Sequence, residues 1–388
     1  MGHAKKMQMK YEERGYGESE KYVCGQCIGN EHLKSFVYNN GTEDEFCDFC
    51  ENEDVCISIE DLCDEVMCAI EFEYERAIGP MGWDGAEGGY IGATIWHIYD
   101  LLEELNAFML LEPTVLNEIH NIVGDDTWCE IDPYSLRANE ENKYMWQRFS
   151  EMVKHKTRYV FFRMPEYDNE DEKSNYLILD NIGEAVDRLE LIEVIPEGAY
   201  FYRGRTHLES VKFFEEKDLC PPASCLAPAN RMSAEGVSIF YGANTASVAL
   251  AEIKNGKKCA TIAEFVNLRE LKILNLADNY KFVIPCLFNK KQRGLREDVK
   301  FLNELNCDLT RKIEDMKTIE YIPVQVVAEY FRFLYEHNGE RIDGIAYKSS
   351  KCEDGVCYAL FFDNEQCIAG DKQELQIRST ELHNYECI

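Results

Sequence analysis

"ANRMSAEGVSIFYGANTASVALAEI" runs from Ala229 to Ile253, and its reading decides the fold of the second half of the chain. "VSIFY" is β-branched and aromatic, as a strand requires. "TASVALAEI" is a run of small and helix-favouring residues and reads as a helix. A strand therefore passes into a helix whose last turn carries Glu252, with Tyr241 at the strand's end and Arg231 upstream, spaced R-x9-Y-x10-E. An apolar helix of Ala, Ser, Val and Leu has no packing reason to end on a carboxylate. Glu252 is thus a candidate for chemistry.

Working outward, further strand-like runs appear at "AYFYRGR", "KKCATIAEFV", "LKILNL", "GIAYKSS" and "CYALFF". They are separated by helices and turns in no regular βαβ order, so the expected class is α+β with a mixed sheet. No G-x-G-x-x-G follows a strand and there is no P-loop, so neither nucleotide-binding pattern is indicated. Arg203 lies in "FYRGR", and Ser349 and Ser350 close "DGIAYKSSK". His207, just beyond the first of these, is read as a loop residue.

At the other end, "VCGQCIGN" and "EFCDFCEN" place Cys24, Cys27, Cys47 and Cys50 in two C-x-x-C pairs with 19 residues between them. Two such knuckles complete a four-thiolate tetrahedron with no open position, which suits a structural zinc ion. The chain has 17 cysteines, an odd count, so thiols and metal ligands are expected in place of a disulfide framework. Cys63 and Cys68 read as core residues of a helix.

That helix starts at a capping-box pattern, Ser58-Ile59-Glu60-Asp61. Leu62, Val66, Ile70, Tyr74 and Ile78 follow as one apolar stripe. "IGPMGWDGAEGGY" breaks it. "ATIWHIYDLLEELNAFML" and "YMWQRFSEMVKHK" extend a helical middle, read as all-α from about Ile57 to Arg158. Arg148 and His155 in the last of these form R-x6-H. "PEYDNEDEKSNY" (Pro165–Tyr176) reads as a linker or hairpin loop. The expected organisation is a zinc module over 20–56, a helical domain over 57–164, a connecting stretch over 165–191 and the α+β domain over 192–388.

The 388-residue chain is 45 % hydrophobic and carries a net charge of −31. So acidic a chain repels phosphate backbones, so nucleic acid is an unfavoured partner. No run approaches the roughly 18 apolar residues of a membrane span, so no membrane partner is expected. The first residues lack an apolar h-region, and the expected compartment is the cytoplasm.

Taken together, Tyr202-Arg203, Asn230-Arg231-Met232-Ser233, Tyr241-Gly242-Ala243, Ala251-Glu252 and Asp343-Gly344-Ile345-Ala346-Tyr347-Lys348-Ser349 resemble the motif set of RES (Arg-Glu-Ser) domains, a toxin-type fold related to ADP-ribosyltransferases. Ser233 stands where that family usually has Asn, and Lys348 where Pro is common. The upstream part is similar to the HEPN-like domain that accompanies some RES domains. The resemblance spans about Tyr22 to Phe362. It implies NAD+ as substrate and cleavage of its nicotinamide–ribose bond, in a toxin or defence effector that depletes NAD+. Glu252, Arg231 and Tyr241 would then be catalytic, and Arg203 and Ser349 (or Ser350) would bind substrate.

The residue types suit that reaction. A carboxylate stabilises a ribosyl oxocarbenium ion, guanidinium groups hold a diphosphate, and a tyrosine offers a face to the nicotinamide ring. Two other activities compete: ADP-ribosyl transfer to a protein, and RNA cleavage by Arg148 and His155 as in HEPN ribonucleases. An unrestrained NADase would poison its own cell, so an antitoxin or regulatory partner, or homo-oligomerisation, is expected from that consequence.

Overall fold

The computed structural model describes residues 16–384 except 44, 87, 106–110, 125, 164–175, 208–215, 255–258, 279 and 312–317. The chain divides into two compact units. One comprises residues 1–136 and 285–296, the other residues 137–284 and 297–388.

In the first unit, strand β1 (Tyr22–Cys24) pairs antiparallel with β2 (Cys56–Ser58), bringing Cys24 opposite Cys56. Helix α1 (Glu31–Asn40) lies between them in the chain and is capped by Asn30, whose side chain accepts from His32 and Leu33 N–H groups. Helix α2 (Ile59–Ile70) starts as its sequence requires: Ser58 accepts the Asp61 N–H. Its buried face is Ile59, Leu62, Cys63, Val66, Met67 and Ile70.

The four-residue stripe outruns this helix. Tyr74 belongs to strand β3 (Tyr74–Arg76), paired with Glu130, and Ile78 is 79 % exposed. The middle is therefore not all helix. Strands β4 (Gly82–Asp84) and β5 (Gly89–Ile91) form a hairpin in the Gly-rich break, with Gly88 at φ +71°. Strands β6 (Trp96–His97) and β7 (Thr127–Glu130) join β3 in a three-stranded sheet ordered β3-β7-β6. Periodicity alone cannot foresee this, because the backbone bonds come from β7, which lies far along the chain. Helix α3 (Ile98–Leu105) begins only after β6, and α4 (Pro113–Val123) starts on its Pro and ends at Gly124, φ +82°. Leu62, Val66, Ile98, Leu101, Val115, Ile119 and Trp128 make the buried centre. Cys63 is buried as expected, whereas Cys68 is exposed, on the solvent side of α2.

The second unit opens with helix α5 (Ala138–His155), which packs with α6 (Leu177–Arg188) and with a later helix of the same unit. An eight-stranded sheet follows. Its strands are β8 (Ile192–Ile195), β9 (Tyr200–His207), β10 (Phe240–Ala243), β11 (Cys259–Asn267), β12 (Leu271–Asn275), β13 (Gly344–Lys348), β14 (Val356–Leu360) and β15 (Leu375–Asn384). Their spatial order is β15-β11-β9-β10-β14-β13-β12-β8. Only β12 and β13 run parallel, so the sheet is mixed and the class is α+β. All six strand-like runs of the sequence are strands here; β8 and β15 are additions at the two edges.

A short helix, α7 (Glu216–Leu219), precedes α8 (Ala246–Ile253). Thr245 caps α8 by accepting the Val248 N–H at 3.3 Å. Helices α9 (Arg296–Thr310, in this unit from Glu297 onward) and α10 (Ile322–Phe333) complete it. Leu302, Leu305, Val324, Val327 and Phe331 of these helices gather with Leu274 and Ile345 of the sheet. Among the described residues no helix is long and apolar enough to cross a membrane.

Candidate functional site

Among the described residues, two places bring chemistry-bearing side chains together, one in each unit.

In the first, the ligand atoms of Cys24, Cys27, Cys47 and Cys50 all lie within 4.8 Å of one another. Sulfur-to-sulfur distances are 3.9 Å for Cys24–Cys27, 3.5 Å for Cys24–Cys50 and 3.8 Å for Cys27–Cys47. A tetrahedron with metal–sulfur bonds of about 2.3 Å has edges of about 3.8 Å, so the cluster has the size to close around one ion. The Cys24 N–H points at Cys47 Sγ, 3.4 Å away, which is the outer-shell support that orients a thiolate. Three of the four cysteines are buried and Cys50 is partly so. These four residues can hold a metal.

The second place lies on the sheet face that α8 covers. Glu252, half-buried in the last turn of α8, accepts a hydrogen bond at Oε1 from Ser349 Oγ at 2.5 Å. Ser349 follows β13 directly. Its Oγ also accepts the N–H groups of Lys351 and Cys352, both at 3.1 Å, so the hydroxyl proton is the one left to give to Glu252. Of the two neighbouring serines, it is Ser349 that holds the carboxylate. Gly355 makes this approach feasible: a Cβ there would lie 2.9 Å from the Cβ atoms of Ser349 and Cys352 and 3.0 Å from Val248 Cγ1 of α8.

Tyr241 stands on β10. Its hydroxyl donates to Ser233 Oγ at 3.0 Å and accepts the Met232 N–H at 3.2 Å. Burial pushes that hydroxyl from the ordinary 10.0 up to about 12, against the smaller pull of Arg203 and Arg231. Ser233, the residue that departs from the family's Asn, is thus the anchor that fixes Tyr241, and it is 2 % exposed. Gln325 of α10 braces the same turn, donating to the carbonyls of Asn230 (2.7 Å) and Ser233 (3.1 Å).

Arg231 projects from that turn. Its Nη1 donates to the carbonyls of Leu309 at 2.5 Å and Arg311 at 3.2 Å, at the C-terminus of α9, where unpaired carbonyls and the helix dipole favour a cation. The guanidinium lies 5.8 Å from the Tyr321 ring centroid. Its charge is felt at Tyr241, Tyr347 and Cys357, and that of Glu252 at Tyr347 and Cys357. Arg231, Tyr241, Glu252 and Ser349 therefore share one neighbourhood.

Arg203 does not join them. Side chains alternate along β9, and the residue on the α8 side is Tyr202, paired with Ala243. Arg203 points to the opposite face. There its Nε donates to the Leu219 carbonyl (3.0 Å), its Nη1 to the Tyr241 carbonyl (2.7 Å), and its charge lies 5.5 Å from the Phe240 ring centroid. It is 9 % exposed. Burial, with the neighbouring Arg205, lowers its ordinary 12.5 to about 10. His207 is the last residue of β9 and not in a loop, with Nε2 3.1 Å from Thr261 Oγ1. Arg148 and His155 sit on α5; the Arg148 guanidinium lies over the Tyr144 ring, His155 is 3.8 Å from Glu151, and Phe149 between them is fully buried.

Three neighbours of the site are not named as site residues from the sequence: Ser233 and Tyr347, which stand inside the motif set quoted above, and Cys357. Ser233 carries a usable signal, its place two residues after Arg231. Cys357 carries none. It is a buried strand cysteine whose thiol is pushed up to about 12 by burial and by the Glu252 charge.

Comparison with known families places both regions. Residues 40–167 match HEPN/RES N-terminal domain 1, and residues 221–383 match the RES domain. No curated protein and no solved structure matches the chain. Arg231, Tyr241, Glu252 and Ser349 all fall inside the RES match, and Arg203 falls before it. The chain is therefore a RES-domain protein with a HEPN/RES-type N-terminal domain.

Proposed function

We propose that the chain is an NAD+ glycohydrolase that cleaves the nicotinamide–ribose bond. The observation that carries this is the Ser349–Glu252 hydrogen bond, which holds a carboxylate at the end of the apolar helix that covers the sheet face bearing Tyr241. The bond between ribose C1′ and the pyridinium nitrogen breaks with both electrons going to nitrogen, so nicotinamide leaves neutral. Positive charge develops on C1′ and the ring oxygen, where the Glu252 carboxylate opposes it. Ser349 fixes the carboxylate's direction before the charge appears. Water then adds to C1′ and loses a proton, giving ADP-ribose. Arg231 supplies positive charge for the diphosphate, and Tyr241 a ring for nicotinamide. Arg203 acts from the other face by holding the Tyr241 carbonyl. Consumption of NAD+ makes the chain a candidate toxin or defence effector under the control of a partner or of self-association.

In the first unit, Cys24, Cys27, Cys47 and Cys50 would bind zinc. Four thiolates leave no open position, so the ion supplies structure.

The test is NAD+ consumption by the full chain and by Glu252→Ala, with products identified in the presence of cell lysate. Free nicotinamide and ADP-ribose from wild type alone support hydrolysis. Label transferred to a protein would replace hydrolysis by ADP-ribosyl transfer, and intact NAD+ with wild type would end the proposal.

A further inference from the structure

The register of the sheet carries one residue more into this site. Tyr241 pairs with Ala359 and Ala243 with Cys357 across β10 and β14; Ile345 pairs with Ala359 and Tyr347 with Cys357 across β13 and β14. Paired residues share a face, so Tyr347 stands on the face that bears Tyr241, separated from it by β14. That strand places only small side chains between them, Ala359 and Cys357. Tyr347 is also two residues before Ser349, hence on the same side of the chain. It packs with the cluster of Val248, Ala249 and Cys357 under α8.

Two further facts distinguish Tyr347 from a core tyrosine. Its strand neighbours Ile345 and Ala346 are buried, yet Tyr347 is only half-buried. The opposite charges of the Glu252 carboxylate and the Arg231 guanidinium both act on its hydroxyl. A phenol is protonated at neutral pH, so the hydroxyl is available as a hydrogen-bond donor. A donor on the sheet face that α8 covers, which also bears Tyr241, is suited to the sugar that connects the two charged parts of the substrate.

We infer that Tyr347 contacts the substrate, its hydroxyl hydrogen-bonding the ribose that carries nicotinamide. This rests on the NAD+ reading above. The ring packs under α8 and the hydroxyl selects for a sugar.

The experiment compares full-length wild type, Tyr347→Phe and Tyr347→Ala for steady-state NAD+ cleavage and thermal unfolding. It uses NAD+ and two analogues, each lacking one hydroxyl of the nicotinamide-side ribose. Tyr347→Phe keeps the ring, and so is expected to keep the unfolding temperature within a few degrees while kcat/KM on NAD+ falls roughly ten- to hundredfold. On one of the two analogues wild type and Tyr347→Phe should react alike, because the partner of the hydroxyl is gone. Tyr347→Ala should lose more. A wild type that cleaves NAD+ while Tyr347→Phe matches it within twofold overturns the inference alone. So does an equal deficit of Tyr347→Phe on all three substrates, the mark of a merely structural role. A wild type that leaves NAD+ intact overturns the underlying reading, and this inference with it.

Discussion

Ser349 is the residue on which the geometry turns, because it both gives its proton to Glu252 and receives two backbone N–H groups from its own turn. Ser349→Ala is expected to lower kcat/KM for NAD+ about ten- to hundredfold, whereas Ser350→Ala should stay within twofold; parallel kinetics on the two variants decide between them. Tyr241 gives a pH prediction. Its folded-state value near 12 lies above its ordinary 10.0, so the folded chain prefers the protonated hydroxyl. The stability this contributes is whole below pH 10 and is lost as pH rises toward 12. Tyr241→Phe should flatten that alkaline loss in denaturant titrations, and at neutral pH should destabilise by about 1–2 kcal/mol by leaving Ser233 and the Met232 N–H without their partner. Much of this was legible in advance. Glu252 stands out because its helix offers it no packing role; Ser349 and Ser350 together close a strand, and the sequence leaves open which of the two meets it. The bonds from Tyr241 to Ser233 and from Arg231 to the Leu309 carbonyl were not legible, since they depend on where separate segments meet.

At the scale of the element, one register step separates Tyr202 from Arg203, and so separates the α8 face from the opposite one. The sequence places both in a strand but does not say which of the two looks toward Glu252. The consequence is testable. Arg203→Met should destabilise the fold by about 2–4 kcal/mol, because the Leu219 and Tyr241 carbonyls lose a buried donor. Turnover by the folded fraction should stay within a few-fold of wild type; a loss of turnover above a hundredfold with stability intact would return Arg203 to a substrate-binding role. Gly355 makes the converse case. Gly355→Ala pushes a methyl group against the Cβ atoms of Ser349 and Cys352 and against Val248. It is expected to cost about 1–3 kcal/mol in denaturant titrations and to slow NAD+ cleavage by shifting Ser349 off Glu252. The stripe through Tyr74 and Ile78 carries the same lesson. A four-residue period describes α2 well as far as Ile70, and beyond it the pairing of β3 with β7 wins.

At the scale of the whole molecule, the most legible feature was the most local one. Two C-x-x-C pairs bring their sulfurs together through their own knuckles, and the structure places all four within 4.8 Å. Metal analysis of the purified chain should find one zinc per chain. Stripping it with a chelator or by Cys47→Ser should unfold the N-terminal module, as read by loss of amide-exchange protection over Tyr22–Ser58; a module that keeps its protection without metal would contradict the assignment. The division of labour proposed here puts stability in that cluster and chemistry in the RES domain. Nicotinamide release from NAD+ by Glu252→Gln, set beside full-length wild type at matched folded concentration, tests it most directly. The expected result is a fall of at least about a hundredfold with an unchanged unfolding temperature. Equal release by the two proteins would contradict the account, because the carboxylate held by Ser349 would then have no part in breaking the bond.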